Sequence, residues 1–140
     1  MKIPNIKDCM VLNIKQIGDR RGHLSVLENN NKFPFKIKRV FYIYDIPSGE
    51  SRGAHAHKNC HQFLIAASGG FQVKVSDGKS EKTFSLMRPN QGLHIPPGLW
   101  ASELNFTSCA TCLVLASDTY KEEDYIRNFD DYLSYLKSLN

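Results

Sequence analysis

The sequence predicts an all-β protein, an antiparallel β-barrel or jelly roll followed by a short C-terminal helix. Two observations lead to this prediction. Short runs of β-forming residues alternate with turn signals at the spacing of a sandwich or barrel, and only the C-terminal tail has helical periodicity. A length of 140 residues fits one domain, so residues 1–140 are expected to form a single unit.

The predicted strands follow one another from the N-terminus. The segment 3–17 is expected to supply an edge strand, and an unpaired edge of this kind is a plausible seam between two subunits. Dense runs of β-forming residues, separated by Gly, Pro or Asp-Gly turns, predict further strands at 40–44, 62–66, 71–75, 83–86, 93–95 and 110–116.

The tail from Lys121 to Leu139 is predicted to be helical. Apolar residues recur there at steps of three and four: Tyr125, Phe129, Leu133 and Leu136. The acidic residues 122–124 lie where the first turn of a helix favours negative charge.

Composition excludes several classes of protein. Hydrophobic residues make up 41% and charged residues 23%, an ordinary globular balance that argues against disorder. The formal charge of +4 suits an anionic ligand but lacks the basic stripe of a nucleic-acid binder. No apolar run reaches the ~18 residues of a membrane span, and four scattered cysteines do not make a disulfide framework. We therefore expect a cytoplasmic protein without nucleic-acid or membrane partners.

The most informative segment is 49–57, which contains a His-x-His pair. On an extended strand, residues two apart point the same way, so His55 and His57 are expected to project together into the barrel mouth. Paired imidazoles on one face serve either metal ligation or proton transfer near neutral pH. Arg52, just upstream, is suited to hold a phosphate or a carbonyl oxygen. The alternative is a surface turn with incidental histidines, which Arg52 and the glycine-rich approach disfavour.

This segment resembles the first motif of the cupin superfamily, and residues 96–105 resemble the second. The usual Glu of the first motif falls on Gln62, and the usual His of the second falls on Ala101. Two of the four usual metal ligands are thus absent, whereas a catalytic metal needs about three protein ligands. His61 and His94 fall outside the ligand positions and are expected to be structural or exposed. We therefore expect no metal, no other cofactor, and acid–base chemistry by the paired imidazoles.

From about residue 14 to residue 136 the chain is similar to the dTDP-sugar 3,4-ketoisomerases, the sugar oxoisomerase group of the cupins. The matching segments, in chain order, are 21–22, 37–44, 52–58, 92–93, 96–100, 115–118 and 124–127. The resemblance implies that the ketone of dTDP-4-keto-6-deoxy-D-glucose moves from C4 to C3, after which a PLP-dependent aminotransferase installs a 3-amino group. Such sugars feed bacterial surface glycans such as the O-antigen of lipopolysaccharide. It also implies a metal-free homodimer with swapped N-terminal strands.

The same resemblance assigns roles to individual residues. A ketone shift between adjacent carbons passes through an enediol, so a base and an acid are required but no redox cofactor. His55 is expected to act as acid and base at the sugar carbons, and His57 to relay or orient a proton. Tyr42 is expected to hydrogen-bond the hexose. Arg52 is expected to stabilise enediolate charge or bind the diphosphate.

Three further residues are expected to shape substrate binding and product. Arg21 matches a family position that touches the sugar, and it resembles the type that gives a galacto-configured product. Ala101 replaces the His or Arg that the family carries directly after the Trp, so the configuration at C4 stays open, with galacto slightly favoured. Trp100 is suited either to stack on thymine or to pack the barrel rim.

The sequence leaves other functions open. A dTDP-keto-sugar 3,5-epimerase would use a similar metal-free cupin site to exchange protons at C3 and C5. A metal-dependent cupin enzyme would require bound iron, nickel or zinc. A non-catalytic sugar-binding cupin is conceivable because of Ala101. The Arg-Gly-x-His-x-His block and the tail motif favour ketone migration.

Overall fold

The computed structural model describes residues 2–140, which form two five-stranded antiparallel sheets, a separate hairpin and one α-helix. The strands are β1 Met10–Asn13, β2 Ile17–Asp19, β3 Gly22–Leu24, β4 Arg39–Ile43, β5 Arg52–His57, β6 Gln62–Ser68, β7 Phe71–Ser76, β8 Glu81–Leu86, β9 Gln91–Ile95, β10 Trp100–Leu104, β11 Thr111–Ala116 and β12 Tyr125–Ile126. The helix, α1, spans Phe129–Ser138, and short 3-10 turns span Ile6–Asp8 and Glu122–Asp124.

The strands are divided between the two sheets in an interleaved order. Sheet I has the order β1-β9-β6-β11-β4, and sheet II has the order β12-β5-β10-β7-β8. The main core lies between them and is built from alternate residues of both, including Leu64, Leu93 and Val114 of sheet I and Phe71, Val73 and Leu86 of sheet II. This arrangement confirms the predicted antiparallel barrel or jelly roll with a short C-terminal helix.

Each sheet also has a covered outer face. On sheet I, residues 27–37 supply Phe33 and Phe35, which pack near the buried Phe63 and Leu115. On sheet II, α1 packs through Tyr132, whose hydroxyl donates to the carbonyls of Ser76 and Gly98. Within residues 2–140, no helix is long and apolar enough to cross a membrane.

The N-terminal edge strand is present as β1, which pairs with β9 of the same chain from Met10↔His94 to Asn13↔Gln91. The six strands predicted between residues 40 and 116 all overlap observed strands. The hairpin β2–β3 and strand β10 had no clear pattern in the sequence. The two strands of the hairpin are short and exposed throughout, and the buried residues of β10 are Ala101 and Glu103, so no apolar face marks these strands.

The predicted start of the tail helix at Lys121 is wrong, because α1 begins at Phe129. Asn128 caps the helix, since its side chain accepts a hydrogen bond from the backbone N–H of Asp131. The residues before the cap form a 3-10 turn and then β12, which pairs with β5 as Tyr125↔His57 and Ile126↔Ala56. Pairing with sheet II therefore replaced the first two predicted helical turns.

Candidate active site

The His-x-His pair lies on the inner face of β5. Ala56 faces the opposite way, into the cluster beneath α1, so the alternation of the strand turns His55 and His57 towards the space between the sheets. Their ring centroids are 4.9 Å apart, with the ring planes nearly perpendicular. The two imidazoles therefore lie together, as the two-residue spacing predicts.

His57 is held by a carboxylate from the C-terminal segment. Its Nδ1 lies 3.0 Å from Oδ2 of Asp124, and both side chains are buried. Asp124 is itself fixed, because its oxygens accept hydrogen bonds from the backbone N–H groups of Asn59 and Cys60. A carboxylate at Nδ1 favours the tautomer with a proton on that nitrogen. The Nε2 of His57 is buried and has no hydrogen-bond partner among the described residues, so its lone pair is free.

An aromatic ring and an ion pair border the two histidines. The ring centroid of Tyr125 lies 5.0 Å from that of His55 and 4.3 Å from that of His57. The guanidinium of Arg127 lies 4.3 Å from the centre of the Tyr125 ring. Glu122 accepts hydrogen bonds from Arg127 at 2.7 and 2.9 Å. The C-terminal segment thus supplies both the partner of His57 and one wall beside His55.

Both imidazoles are neutral near pH 7 in this environment. Burial lowers the pKa of His55 to about 4, with further lowering by the charges of His57 and Arg127. Burial also lowers the pKa of His57, although the hydrogen bond and charge of Asp124 act in the opposite direction. A neutral imidazole can accept a proton, and the imidazolium that it becomes is a ready acid.

A small cavity lies against the histidine pair, and residues of both sheets line it. From sheet I, Gln62 faces this cavity from the position where the cupin motif has its Glu. From sheet II, Ala101 lies directly opposite His55 in the β5–β10 ladder and leaves the space beside it without a polar side chain. Glu103, two residues further along β10, also lines the cavity and is 6% exposed.

One group of side chains in residues 2–140 has the composition of a metal site. The ligand atoms of His57, Cys60 and Asp124 lie within 4.8 Å of one another. However, both oxygens of Asp124 already accept hydrogen bonds, including those from the backbone at residues 59 and 60. The Cys60 thiol in turn donates to the carbonyl of His61. These bonds describe a carboxylate that orients a histidine, and a metal ion there would have to displace them.

The other predicted site residues are not all brought to the histidines within one chain. Arg52 is exposed at the start of β5 and lies opposite Glu103 in the ladder. Ala101 is beside His55, as described above. Trp100 packs edge-on against Phe129 of α1, on the face of β10 opposite to Ala101. Of its two suggested roles, this contact favours packing.

Tyr42 and Arg21 lie apart from the pair. On β4, Phe41 and Ile43 pack against the main core, so Tyr42 is turned outward, 61% exposed and near Tyr44. Within one chain Tyr42 therefore lies away from His55, and its hydrogen bond to the hexose stays a prediction. Arg21 lies at the exposed tip of the β2–β3 hairpin and forms an ion pair with Asp19 at 2.7 Å.

Three residues at the site have no recognisable signal in the sequence, namely Asp124, Tyr125 and Glu103. Asp124 and Tyr125 stand in the tail motif, but the motif gives no sign that they contact a histidine 67 residues away. Glu103 stands within the second cupin-like motif without matching a ligand position. Register between strands, which sequence alone does not show, brings all three to the site.

Comparison with known proteins identifies a matching family and similar enzymes. Residues 7–137 match the family described as FdtA: WxcM-like, C-terminal. The chain is 42% identical over 130 residues to a TDP-4-oxo-6-deoxy-alpha-D-glucose-3,4-oxoisomerase of Aneurinibacillus thermoaerophilus, covering 93% of this chain and 94% of the relative.

Two solved structures extend the comparison. One is the WlaRB TDP-quinovose 3,4-ketoisomerase of Campylobacter jejuni, with 48% identity, a TM-score of 0.87, and coverage of 92% of this chain and 99% of that chain. The other is a His-to-Asn variant of the 3,4-ketoisomerase QdtA of Thermoanaerobacterium thermosaccharolyticum in complex with TDP-4-keto-6-deoxyglucose. It has 37% identity, a TM-score of 0.91, and coverage of 96% and 97% of the two chains.

Proposed function

We propose that this chain, which belongs to the FdtA family (WxcM-like, C-terminal) of sugar 3,4-ketoisomerases, is a metal-free isomerase that moves the ketone of dTDP-4-keto-6-deoxy-D-glucose from C4 to C3. The observation that carries the proposal is the buried pair of neutral imidazoles, one of them oriented by Asp124. The names of the relatives supply the substrate class and favour ketone migration over 3,5-epimerisation.

The proposed chemistry needs only proton transfers. His55 takes the proton from C3. The electron pair of the broken C3–H bond moves towards the C4 carbonyl, whose oxygen gains a proton to give an enediol. The hydroxyl at C3 then loses its proton and becomes the new ketone, while C4 receives a proton. Two protons leave the sugar and two return, so no redox cofactor is required. His57, whose Nε2 carries a free lone pair, relays or orients one of these protons.

The positively charged residues take the remaining roles in this proposal. Arg52 is exposed near the cavity at the start of β5, where it stabilises enediolate charge or binds the diphosphate. Arg21 touches the sugar and, with Ala101 beside His55, sets the configuration at C4. Arg21 favours the galacto product, whereas one relative is named for quinovose, a gluco-configured sugar.

A homodimer with swapped N-terminal strands is part of the proposal, because Arg21 and Tyr42 lie away from His55 within one chain. Apolar side chains are exposed on the hairpin region and on β4, namely Ile17, Leu24, Val26 and Val40. Burying these side chains against a second copy would remove apolar area from water and offer Arg21 a route to the other subunit's site. Light scattering on a sizing column should give twice the mass of 15.9 kDa.

The product of the proposed reaction indicates which enzyme acts next. A 3-keto sugar is a substrate for a PLP-dependent aminotransferase, which would install the 3-amino group of a surface-glycan sugar. A cytoplasmic location is supported by the cysteines, since Cys9, Cys60, Cys109 and Cys112 are all free thiols. Adding an aminotransferase and an amino donor to the reaction should yield a 3-amino sugar.

The decisive experiment is a proton NMR time course with chelator-treated protein and dTDP-4-keto-6-deoxyglucose in deuterated buffer. We expect the ketone to appear at C3 and deuterium at C4, and the coupling constants at C4 then give the product configuration. Exchange at C3 and C5 without migration would instead indicate an epimerase. Activity that returns only with added iron, nickel or zinc would indicate a metal-dependent enzyme. Binding without any change would indicate a sugar-binding protein.

A further inference from the structure

Glu103 is a buried carboxylic acid that the mechanism above does not use. It lies on β10, is 6% exposed, and lines the same cavity as His55 and His57. Its carboxyl group accepts a hydrogen bond from its own backbone N–H. A carboxyl that is buried with so little hydrogen bonding is costly to keep ionised, so its presence at the reacting histidines calls for a role.

The absence of a side chain at Gly53 leaves room for this carboxyl. Its oxygens lie against the α-carbon of Gly53, and a Cβ added at that position would overlap them. Gly53 has a φ of +71°, a left-handed conformation that glycine adopts without strain, at a register shift between β5 and β10. The carboxyl thus occupies a place on the inner face of β5 that any other residue would fill with its own side chain.

Gly53 also brings the carboxyl to the strand that carries the proposed base, His55. Gly53 and His55 are neighbours on the inner face of β5, and residues two apart on a strand are about 7 Å from each other. On β10, Ala101 lies opposite His55 and contributes only a methyl group. The carboxyl and the imidazole therefore share one cavity without a bulky β10 side chain between them.

Glu103 changes its charge close to neutral pH. Burial raises its pKa to about 7, and the positive charge of Arg52 lowers it in part. The titratable groups around it are Arg52, His55 and His57 of β5, Cys60 before β6, and Cys112 of β11. His55 is in addition faced by Tyr125, Glu122 and Arg127. Among the residues that line the cavity, Glu103 is the acid that can balance a positive imidazole.

We propose that Glu103 is a positioning residue for proton transfer, whose ionised carboxylate stabilises the imidazolium that His55 becomes when it takes the C3 proton. The inference rests on the proposed function. In this step the C3–H bond breaks, the proton forms the new N–H bond of His55, and the electron pair stays in the enediolate. Glu103 remains ionised throughout and neither gives nor receives a proton. It therefore acts through its charge, and turnover should follow the ionised fraction of Glu103.

The test is the pH profile of kcat for the parent protein and for Glu103→Gln, which keeps the shape and removes the charge. For the parent protein, kcat should rise with pH through a limb near pH 7. In Glu103→Gln this limb should vanish, and kcat at pH 8 should fall about 10- to 50-fold, the effect of one charge at about 7 Å in a medium of dielectric constant near 20. KM should change less than about threefold, because the charge acts on the chemical step.

Two further variants separate this role from a structural one. Glu103→Asp keeps a carboxylate and should keep the limb even if it is less stable. Glu81→Gln removes an exposed carboxylate from β8 of the same sheet, where it pairs with Lys74, and should leave the profile unchanged. A limb that persists in Glu103→Gln, or a loss of kcat that is equal at every pH, would overturn the proposal.

A second measurement does not depend on turnover. NMR titration of glutamates labelled with carbon-13 at the side-chain carboxyl reports the pKa of Glu103 directly in the folded protein, and the signal is assigned by its absence from Glu103→Gln. We expect this pKa to be near 7, because burial raises it, and to coincide with the limb in the kcat profile. A Glu103 pKa that does not coincide with the limb would reject the role of Glu103 even if ketone migration is established. A Glu103 pKa near 7 in a protein that shows no migration would reject the proposed function and leave the buried titrating carboxyl as described.

Discussion

Two pairs of histidines lie in sheet-forming segments of this protein, and they differ in what their nitrogens contact. His55 and His57 face the cavity between the sheets, with ring centroids 4.9 Å apart. His61 and His94 lie with the outer cluster of sheet I, with ring centroids 5.2 Å apart and Phe35 beside both rings. Burial lowers the pKa in both pairs, to about 4 for His55 and for His94.

The partners of the ring nitrogens distinguish the two pairs. Nδ1 of His61 and Nε2 of His94 lie 3.0 Å apart, so one nitrogen of each ring is engaged by the other ring, and neither ring contacts a carboxylate through it. His57 instead binds Asp124 through Nδ1 and leaves Nε2 without a partner. A lowered pKa alone therefore does not identify a proton-transfer residue. A free nitrogen facing a cavity, with the other nitrogen held by a carboxylate, is the more specific sign.

The largest expected effect separates the two pairs by activity. His55→Asn removes the proposed base, and kcat should fall by about 10²- to 10⁴-fold, the usual contribution of general acid–base catalysis. The matched variant His94→Asn changes a histidine of the outer pair and should keep kcat within about threefold. Both are measured by NMR turnover, with circular dichroism to confirm folding. Near-normal turnover of a folded His55→Asn protein would refute the assignment.

A smaller effect is expected from the carboxylate that orients His57. Asp124→Asn should lower kcat by about 10- to 100-fold, as is typical for groups that hold a functional histidine in its tautomer. Because Asp124 raises the pKa of His57, the variant should also lower that pKa further. The measurements are kcat and a histidine NMR titration.

The control for this variant is Asp77→Asn, because Asp77 also accepts backbone hydrogen bonds, from Ile6, Lys79 and Ser80, but contacts no histidine. Asp77→Asn should lower stability and leave kcat unchanged. Equal losses of kcat in the two variants would show that Asp124 acts only by holding the fold together.

The contrast between the pairs also shows how much the sequence can predict. The joint projection of His55 and His57 follows from the two-residue period of a strand, which the backbone fixes. The contact with Asp124 depends on the register of β12 on β5, across 67 residues of chain, and no local pattern encodes it. The burial of Glu103 is equally hidden, since carboxylates are usually exposed.

The outward orientation of Tyr42 could not be predicted from the sequence either. The run from Val40 to Tyr44 consists only of apolar and aromatic residues, so no alternation of polar and apolar residues indicates which face is buried. The structure turns Phe41 and Ile43 inward and leaves Tyr42 exposed. In contrast, the fold class was predictable, because turn signals and the spacing of strands do not depend on which face is buried.

The smallest expected effect concerns stability, where the two pairs should behave alike. Because the folded-state pKa of His94 is about 4 against an ordinary value of 6.5, the unfolded chain binds a proton that the folded chain does not between these pH values. Stability should therefore be unaffected above about pH 6.5 and fall as the pH drops towards 4. The full shift corresponds to about 3 kcal/mol, which partial exposure to solvent reduces to about 1–2 kcal/mol.

His94→Gln removes this titration, so its free energy of unfolding in urea should fall less steeply between pH 6.5 and 4.5 than that of the parent protein. His55→Asn should flatten the same dependence by a similar amount, because burial lowers the pKa of His55 to the same value. An unchanged slope in His94→Gln would mean that folding does not lower the pKa of His94. If both variants flatten the slope but only His55→Asn loses turnover, then burial explains the acid sensitivity of both pairs, and only the pair that lines the cavity takes part in proton transfer.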